Sequence, residues 1–121
     1  MADEVQLGPQ RADRPAFRFR PRFDGAFFNL RMVWNSRAHR WLLDISDTAG
    51  NRVVDGLGVV TGHDLLAWVV AANRPAGQLF VRDDSGRGRP VTRDGWRSDF
   101  RLIYRPAADV AAAAGTADEV R

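Results

Sequence analysis

Residues 26–34 read AFFNLRMVW, and a short turn, NSRA, separates them from residues 39–46, HRWLLDIS. In both segments large apolar side chains alternate with polar ones. The apolar positions are Phe28, Leu30, Met32 and Trp34, then Trp41, Leu43 and Ile45. Strict alternation over this length is typical of β-strands with one buried face. The pair therefore predicts an antiparallel hairpin with an aromatic-rich inner face.

The preceding segment extends the same pattern. Residues 15–23, PAFRFRPRF, alternate Phe and Arg, and we expect the strand to end near Pro21 because proline lacks the N–H that a ladder requires. Asp24-Gly25 follows, a dipeptide favoured in two-residue hairpin turns. The sequence therefore predicts that a first strand, residues 15–23, forms a hairpin with residues 26–34.

Three more strands are predicted at 52–60, 78–82 and 98–105. Gly56 and Gly58 interrupt the first of these and indicate a bulge or bend. The last has Phe100, Leu102 and Tyr104 on one face. About six short strands at regular spacing favour an antiparallel barrel or sandwich.

One short helix is predicted at about 62–73. Thr61 and Asp64 have the spacing of a capping box, with Asp in place of Glu or Gln. Leu65, Trp68, Val69 and Ala72 then follow the i, i+3, i+4, i+7 spacing of a helical face.

The fold class is thus mainly β, a small antiparallel barrel or sandwich with one helix. The length of 121 residues suits one domain. We expect a flexible N-terminal arm at 1–14, a single β-rich domain at 15–106 and an Ala-rich C-terminal tail at 107–121. The acidic start, MADEVQLGPQ, lacks the apolar core of a secretory signal.

The composition excludes several classes of site. The chain has no Cys, which excludes disulfides and Cys-ligated metals, and no apolar run near the ~18–20 residues of a membrane span. His39 and His63 fit no metal-binding motif, no Ser lies in a nucleophile elbow, and Asp83-Asp84 opens a turn-forming loop. We predict no enzyme activity, with no catalytic, cofactor-binding or metal-binding residues.

All 18 cationic side chains are Arg, and they are concentrated in two blocks. Residues 11–40 carry eight Arg and two Asp, a sum of +6, and residues 85–105 carry six Arg and two Asp, a sum of +4. Such blocks are either an ordinary solvated surface or contacts for nucleic acid or for an acidic protein surface. The candidate partner-interface residues are Arg18, Arg20, Arg22, Arg87, Arg89 and Arg93.

A β-barrel module for single-stranded nucleic acid is the alternative function. Phe17, Phe19, Trp34 and Trp41 would stack bases if they lay on an open sheet face. Their place in the alternating pattern favours the core instead.

Several segments together resemble a known family. They are LRMVWNSR at 30–37, WLLDI at 41–45, DTAG at 47–50, GHDLL at 62–66, PAGQL at 75–79 and RLIY at 101–104. The chain is similar over about residues 15–106 to the phage baseplate plug family of small β-rich virion proteins.

The resemblance implies a structural role at the tip of a phage tail. It implies a plug beside the baseplate hub and the distal tail tube that helps to close the central channel before ejection. The implied partners are the hub, tail tube and tape measure proteins, with no membrane and no specific nucleic acid. The chain itself is expected in multiple copies in the assembled baseplate. The implied location is the virion tail tip, after assembly in the bacterial host cytoplasm.

Overall fold

The computed structural model describes residues 5–7, 15–97 and 99–111 of the chain. Within them eight strands form two sheets. The strands are β1 Val5–Leu7, β2 Ala16–Phe19, β3 Arg22–Phe23, β4 Ala26–Asn35, β5 Arg40–Asp47, β6 Arg52–Gly58, β7 Gln78–Asp83 and β8 Phe100–Arg105. The architecture is mainly β, as the alternating pattern predicts.

The larger sheet is an antiparallel meander with the order β2-β4-β5-β6, and β3 pairs with β4. Trp34 faces Trp41 across the central hairpin, so β4 and β5 pair as the sequence predicts. Asp24 and Gly25 have φ values of 52° and 85°, the left-handed backbone of a type I′ turn, so this tight turn is confirmed. The predicted strand at 15–23 divides into β2 and β3 around Pro21.

The smaller sheet has the order β1-β8-β7, and its two ladders are antiparallel. Side chains of both sheets belong to one core cluster, and an isolated parallel bridge joins Thr61, in the connection after β6, to Val81 of β7. Because the described ladders do not continue around the molecule, the fold is sandwich-like rather than a closed barrel.

The core lies between the sheets and is built by the predicted alternating positions. Phe28, Leu30 and Met32 of β4 are buried, and Trp34 at the strand end is half-buried. The side chains buried most completely are Trp41, Tyr104, Phe23, Phe100, Leu30, Met32, Leu43, Ile45, Leu66, Leu79, Leu102 and Val81. The predicted inner face of the central hairpin is therefore confirmed.

The predicted bulge in β6 is also confirmed. The register between β5 and β6 shifts on both sides of the Ile45–Val54 pair. Gly56 has a φ of 66°, and its N–H donates to the Asp44 carboxylate at 2.7 Å. A glycine adopts this left-handed conformation without the strain that a Cβ would introduce.

The predicted helix at 62–73 is wrong, because this segment is a succession of turns. The Leu65 N–H donates to the Leu79 carbonyl at 2.6 Å, so the backbone at the start of the segment is hydrogen-bonded to β7. Thr61 does not cap a helix; its hydroxyl bonds the carbonyls of Gly88 and Arg89. Trp68, on the predicted buried stripe, is 92% exposed.

The terminal segments are described only in part. Residues 5–7, inside the predicted arm 1–14, form β1 and pair with β8, so that part of the arm belongs to a sheet. Residues 107–111 form a helical turn in which the Asp109 and Val110 N–H groups bond the Pro106 carbonyl. The rest of the predicted arm and tail lies outside the described residues, and the predicted domain limits stay predictions.

Candidate functional site

The six candidate interface arginines lie on two parts of the fold. Arg18 lies in β2, Arg22 in β3 and Arg20 in the short connection between them, at one edge of the larger sheet. The other three lie in the long connection from β7 to β8, at positions 87, 89 and 93. Alternation explains the first group, since the neighbouring Phe side chains of β2 turn inward and the arginines outward.

The outer face of the larger sheet carries a groove of about 580 Å³, which we call the sheet-face groove. Its charged lining residues are Arg18, Arg20, Arg31, Asp44 and Asp55. Three guanidinium groups against two carboxylates leave the groove with a net positive charge. The groove is partly open to solvent, so it suits a surface contact better than an enclosed small molecule.

Like charges oppose one another inside the sheet-face groove. Arg18 and Arg31 are direct cross-strand partners on β2 and β4. Like charges at such positions repel, because the two side chains leave the same face of the sheet close together. The Arg31 guanidinium lies 3.4 Å from one oxygen of the Asp44 carboxylate, which offsets part of this repulsion. The other oxygen of that carboxylate accepts the Gly56 N–H.

Arg20 and Arg22 continue the basic edge. The Arg20 Nε donates to the Asn29 side-chain oxygen at 2.9 Å, which holds the guanidinium beside the groove. The Arg22 guanidinium lies 5.6 Å from the centre of the Phe27 ring, within the range of a cation–π contact. Phe27 is 51% exposed, so this pair forms a mixed cationic and aromatic surface.

The connection from β7 to β8 is held by a pair between Asp83 and Arg89. The Asp83 carboxylate accepts two bonds from the Arg89 guanidinium and one from its amide N–H, each at 2.9 Å. Ser85 donates to the same carboxylate through its amide and its hydroxyl. Arg89 also donates to Asp99 at 2.8 Å and lies 5.2 Å from the centre of the Phe100 ring.

These contacts show that Arg89 has an internal structural role besides any contact with a partner. The Arg89 hydrogen bonds hold the pKa of Asp83 well below its ordinary value, and the two carboxylates raise the pKa of Arg89. The sequence reasoning missed this pair. The sequence did contain a sign of it. Asp83 continues the alternation of the buried residues Leu79 and Val81, and a charged residue at such a position needs a partner.

Arg87 is the most exposed member of the second group, whereas Arg93 is half-buried like Arg89. Arg87 lies in an exposed stretch of the loop, and its backbone N–H donates to the Ser85 hydroxyl at 3.3 Å. Arg93 pairs with Asp94 at 3.2 Å and has other interactions. The assignment of all six arginines to a partner interface stays a prediction.

A second groove, of about 490 Å³, brings the two histidines to one surface. His39, His63 and Arg40 line it, together with backbone from the loop at Gly88. Among the described residues, no three or more His, Asp or Glu side chains gather in a metal-binding arrangement. The described helical residues also include no segment long and apolar enough to cross a bilayer.

The aromatic residues proposed for base stacking pack against the core, and of the four only Phe19 also lines the sheet-face groove. Trp41 is fully buried, Phe17 is 7% exposed, and Phe19 and Trp34 are half-buried against the same core. Phe17 and Trp34 each pack against Trp41, with ring centres 5.5 Å apart. These rings therefore stabilise the sandwich, and no observation on them favours nucleic-acid binding.

The comparison with protein families gives a match over most of the chain. The family model described as "Cyanophage baseplate Pam3 plug gp18" matches residues 6–107, which contain β2 to β8 and part of β1. The chain belongs to the cyanophage baseplate plug family. The matched region begins inside the predicted arm and ends just after Pro106, so the family domain includes part of β1. No curated protein matches the chain.

Membership of the baseplate plug family indicates a structural role in a phage baseplate. The two grooves described above are open to solvent and are lined by both polar and apolar groups.

Proposed function

We propose that this chain is a plug of a phage tail baseplate that sits beside the hub and the distal tail tube and helps to close the central channel before ejection. The observation that carries the proposal is the family match over residues 6–107. It covers both sheets of the sandwich, so the family likeness belongs to the whole folded unit and not to one motif.

The packing of the domain suits a part that must resist deformation. Its core joins both sheets through large rings, with the Phe23 and Tyr104 ring centres 4.2 Å apart. The Tyr104 hydroxyl donates to the Asp24 carboxylate and accepts the Gly77 N–H, which ties both sheets to a turn. Close-packed interiors have low compressibility and transmit load.

The basic surfaces supply the contacts to neighbours. In this proposal, acidic side chains of adjacent baseplate proteins enter the sheet-face groove and relieve the repulsion between Arg18 and Arg31. Arg87 and Arg93 make similar contacts from the β7–β8 connection. Guanidinium groups suit such interfaces because they bind carboxylates in a planar, bidentate geometry.

The remaining parts of the proposal concern place and stoichiometry. The partners are the baseplate hub, the tail tube and the tape measure protein. The chain is present in multiple copies in the virion tail tip and is assembled there in the bacterial host cytoplasm.

Electron microscopy of isolated tails that contain this chain tests the proposal. We expect density for the two-sheet domain on the channel axis, between the hub and the end of the tube. Tails assembled without the chain should leave the tape measure accessible to added protease through an open channel. Density on the outside of the baseplate, or an equally protected tape measure without the chain, would overturn the plug function.

A further inference from the structure

The loop between β6 and β7 exposes the two least buried large apolar side chains among the described residues. Trp68 is 92% exposed and Val70 is 96% exposed, whereas Val69 between them is buried. The Cα atoms of residues two apart lie within about 7 Å of each other. The loop therefore presents two neighbouring apolar side chains to the outside and anchors itself through the one between them.

The backbone on both sides of Trp68 is held in place. The Arg74 guanidinium donates to the Leu66 carbonyl at 2.6 Å and to the Val69 carbonyl at 3.1 Å. The Asp64 carboxylate accepts the Leu66 N–H at 3.0 Å. A side chain displayed on a fixed backbone loses little conformational entropy on binding, which favours affinity.

The chain segment that holds Trp68, residues 64–77, carries no net charge. Asp64 and Arg74 are the only charged residues between positions 64 and 77, and both are bonded to the backbone of the loop. Ala67 and Ala72 add exposed apolar surface. An anionic lipid surface selects clusters of Lys or Arg, which this patch lacks, whereas a dry apolar pocket of a protein selects an uncharged aromatic anchor.

The area of the patch decides between a second copy and a different protein. A Trp side chain buries about 150–250 Å², so the patch stays well below the roughly 800 Å² per partner of a stable interface. Two copies joined through this loop alone would not form a stable dimer. The patch instead suits one anchor within a larger contact, which an assembly of different proteins supplies.

We propose that Trp68 and Val70 anchor the chain in an apolar pocket of a neighbouring, different protein of the baseplate. The inference rests on the proposed function and names a contact surface separate from the arginines. Trp is among the residue types that most often dominate binding energy at interfaces, especially when a rigid backbone presents it.

Tails assembled in the presence of the full-length variants test this anchor. Trp68→Ala and Val70→Ser should each leave the unfolding midpoint near that of the unchanged chain and lower the amount of chain per tail at least about tenfold. Val60→Ser is the matched control, since it removes an exposed apolar side chain elsewhere, and it should retain normal incorporation. Normal incorporation of Trp68→Ala would overturn the anchor.

Photo-cross-linking identifies the occupant of the pocket. With benzoylphenylalanine at position 68, we expect a cross-link in intact tails to a baseplate protein other than this chain. A cross-link only to a second copy would overturn the proposal, as would sedimentation of the free chain with phosphatidylcholine or phosphatidylglycerol vesicles that requires Trp68. Absence of the unchanged chain from tails would instead count against the proposed plug function itself.

Discussion

At the residue scale, Tyr104 connects its own strand, β8, to the other sheet and to two turns. Its ring stacks on Phe23 of the other sheet, and its hydroxyl links the Asp24 turn to the Gly77 backbone. Burial and the bond to Asp24 raise the pKa of Tyr104 above its ordinary value. Gly77 is required at this contact, because a Cβ there would lie 2.6 Å from the Tyr104 hydroxyl.

The raised pKa predicts a loss of stability in alkaline solution. The unfolded tyrosine ionises near pH 10, so the stabilisation is complete below that pH and is lost as the pH rises toward the higher folded value. The chain contains one Tyr, and tyrosinate absorbance near 295 nm therefore reports this residue alone. We expect no absorbance step near pH 10 in the folded chain and a step there in the urea-unfolded chain. A folded-state step near pH 10 would contradict this.

Trp41→Ala should lower the free energy of unfolding by about 3–5 kcal/mol, the range for large-to-small changes in a core. Trp41 is fully buried among three aromatic rings, and its indole N–H donates to the Thr92 carbonyl at 2.9 Å. Trp68→Ala is the matched control, because the same atoms are removed from an exposed site, and it should cost less than about 0.5 kcal/mol. Urea denaturation measures both, and equal losses would show that burial is not the cause.

At the scale of elements, the two long connections are ordered by single charged side chains rather than by regular structure. In the β6–β7 loop, the Arg74 guanidinium donates hydrogen bonds to the Leu66 and Val69 carbonyls. In a helix, backbone N–H groups would bond such carbonyls. In the β7–β8 connection, Asp83 gathers the amides and side chains of Ser85 and Arg89. Loss of either residue would leave backbone groups unsatisfied, which costs more than the hydrogen bond itself contributes.

Asp83 predicts the acid response of the β7–β8 connection. Its pKa is lowered in the folded chain, so its stabilisation is complete above about pH 4, the ordinary Asp value, and is lost as the pH falls below that toward the folded value. Asp83→Asn should lower the urea midpoint of unfolding at pH 7. The decrease of that midpoint between about pH 4 and pH 2 should also be smaller than in the unchanged chain. Asp55→Asn, at a surface pair with Arg52, should alter neither. An unchanged acid slope in Asp83→Asn would contradict the assignment.

At the scale of the whole molecule, charge and apolar surface are separated. The arginine-rich groove lies on the outer face of the larger sheet, and the exposed apolar pair lies on the loop between β6 and β7. Electrostatic contacts mainly steer association and select partners, whereas a buried aromatic anchor slows dissociation. In a baseplate, the charged surface would select partners and the apolar surface would hold them.

Arg18→Gln should change the free energy of unfolding by less than about 0.5 kcal/mol, because it removes an exposed side chain and a repulsive neighbour of Arg31. It should also reduce incorporation into tails at low salt and make incorporation less sensitive to added salt. Arg52→Gln is the control, since Arg52 is exposed and already paired with Asp55. Unchanged salt dependence in Arg18→Gln would remove the sheet-face groove from the interface.

The amino-acid sequence by itself determined the strands from β2 to β8, the central hairpin, the Asp24-Gly25 turn and the β6 bulge, whereas β1 lies in a segment predicted to be a flexible arm. Alternation and turn residues are local properties, and each strand carries its own buried face in its own residues. The same local rules predicted a helix at 62–73, which was wrong, and they did not pair Asp83 with Arg89 or leave Trp68 exposed.

Only the tertiary structure decided those features, because each depends on groups that folding brings in from elsewhere. The backbone of the β6–β7 loop takes its partners from β7 and from Arg74, and a backbone group already bonded there is not available to a helix. The choice of a sandwich over a barrel has the same origin, since ladder closure depends on how two sheets meet and not on the pattern within either one.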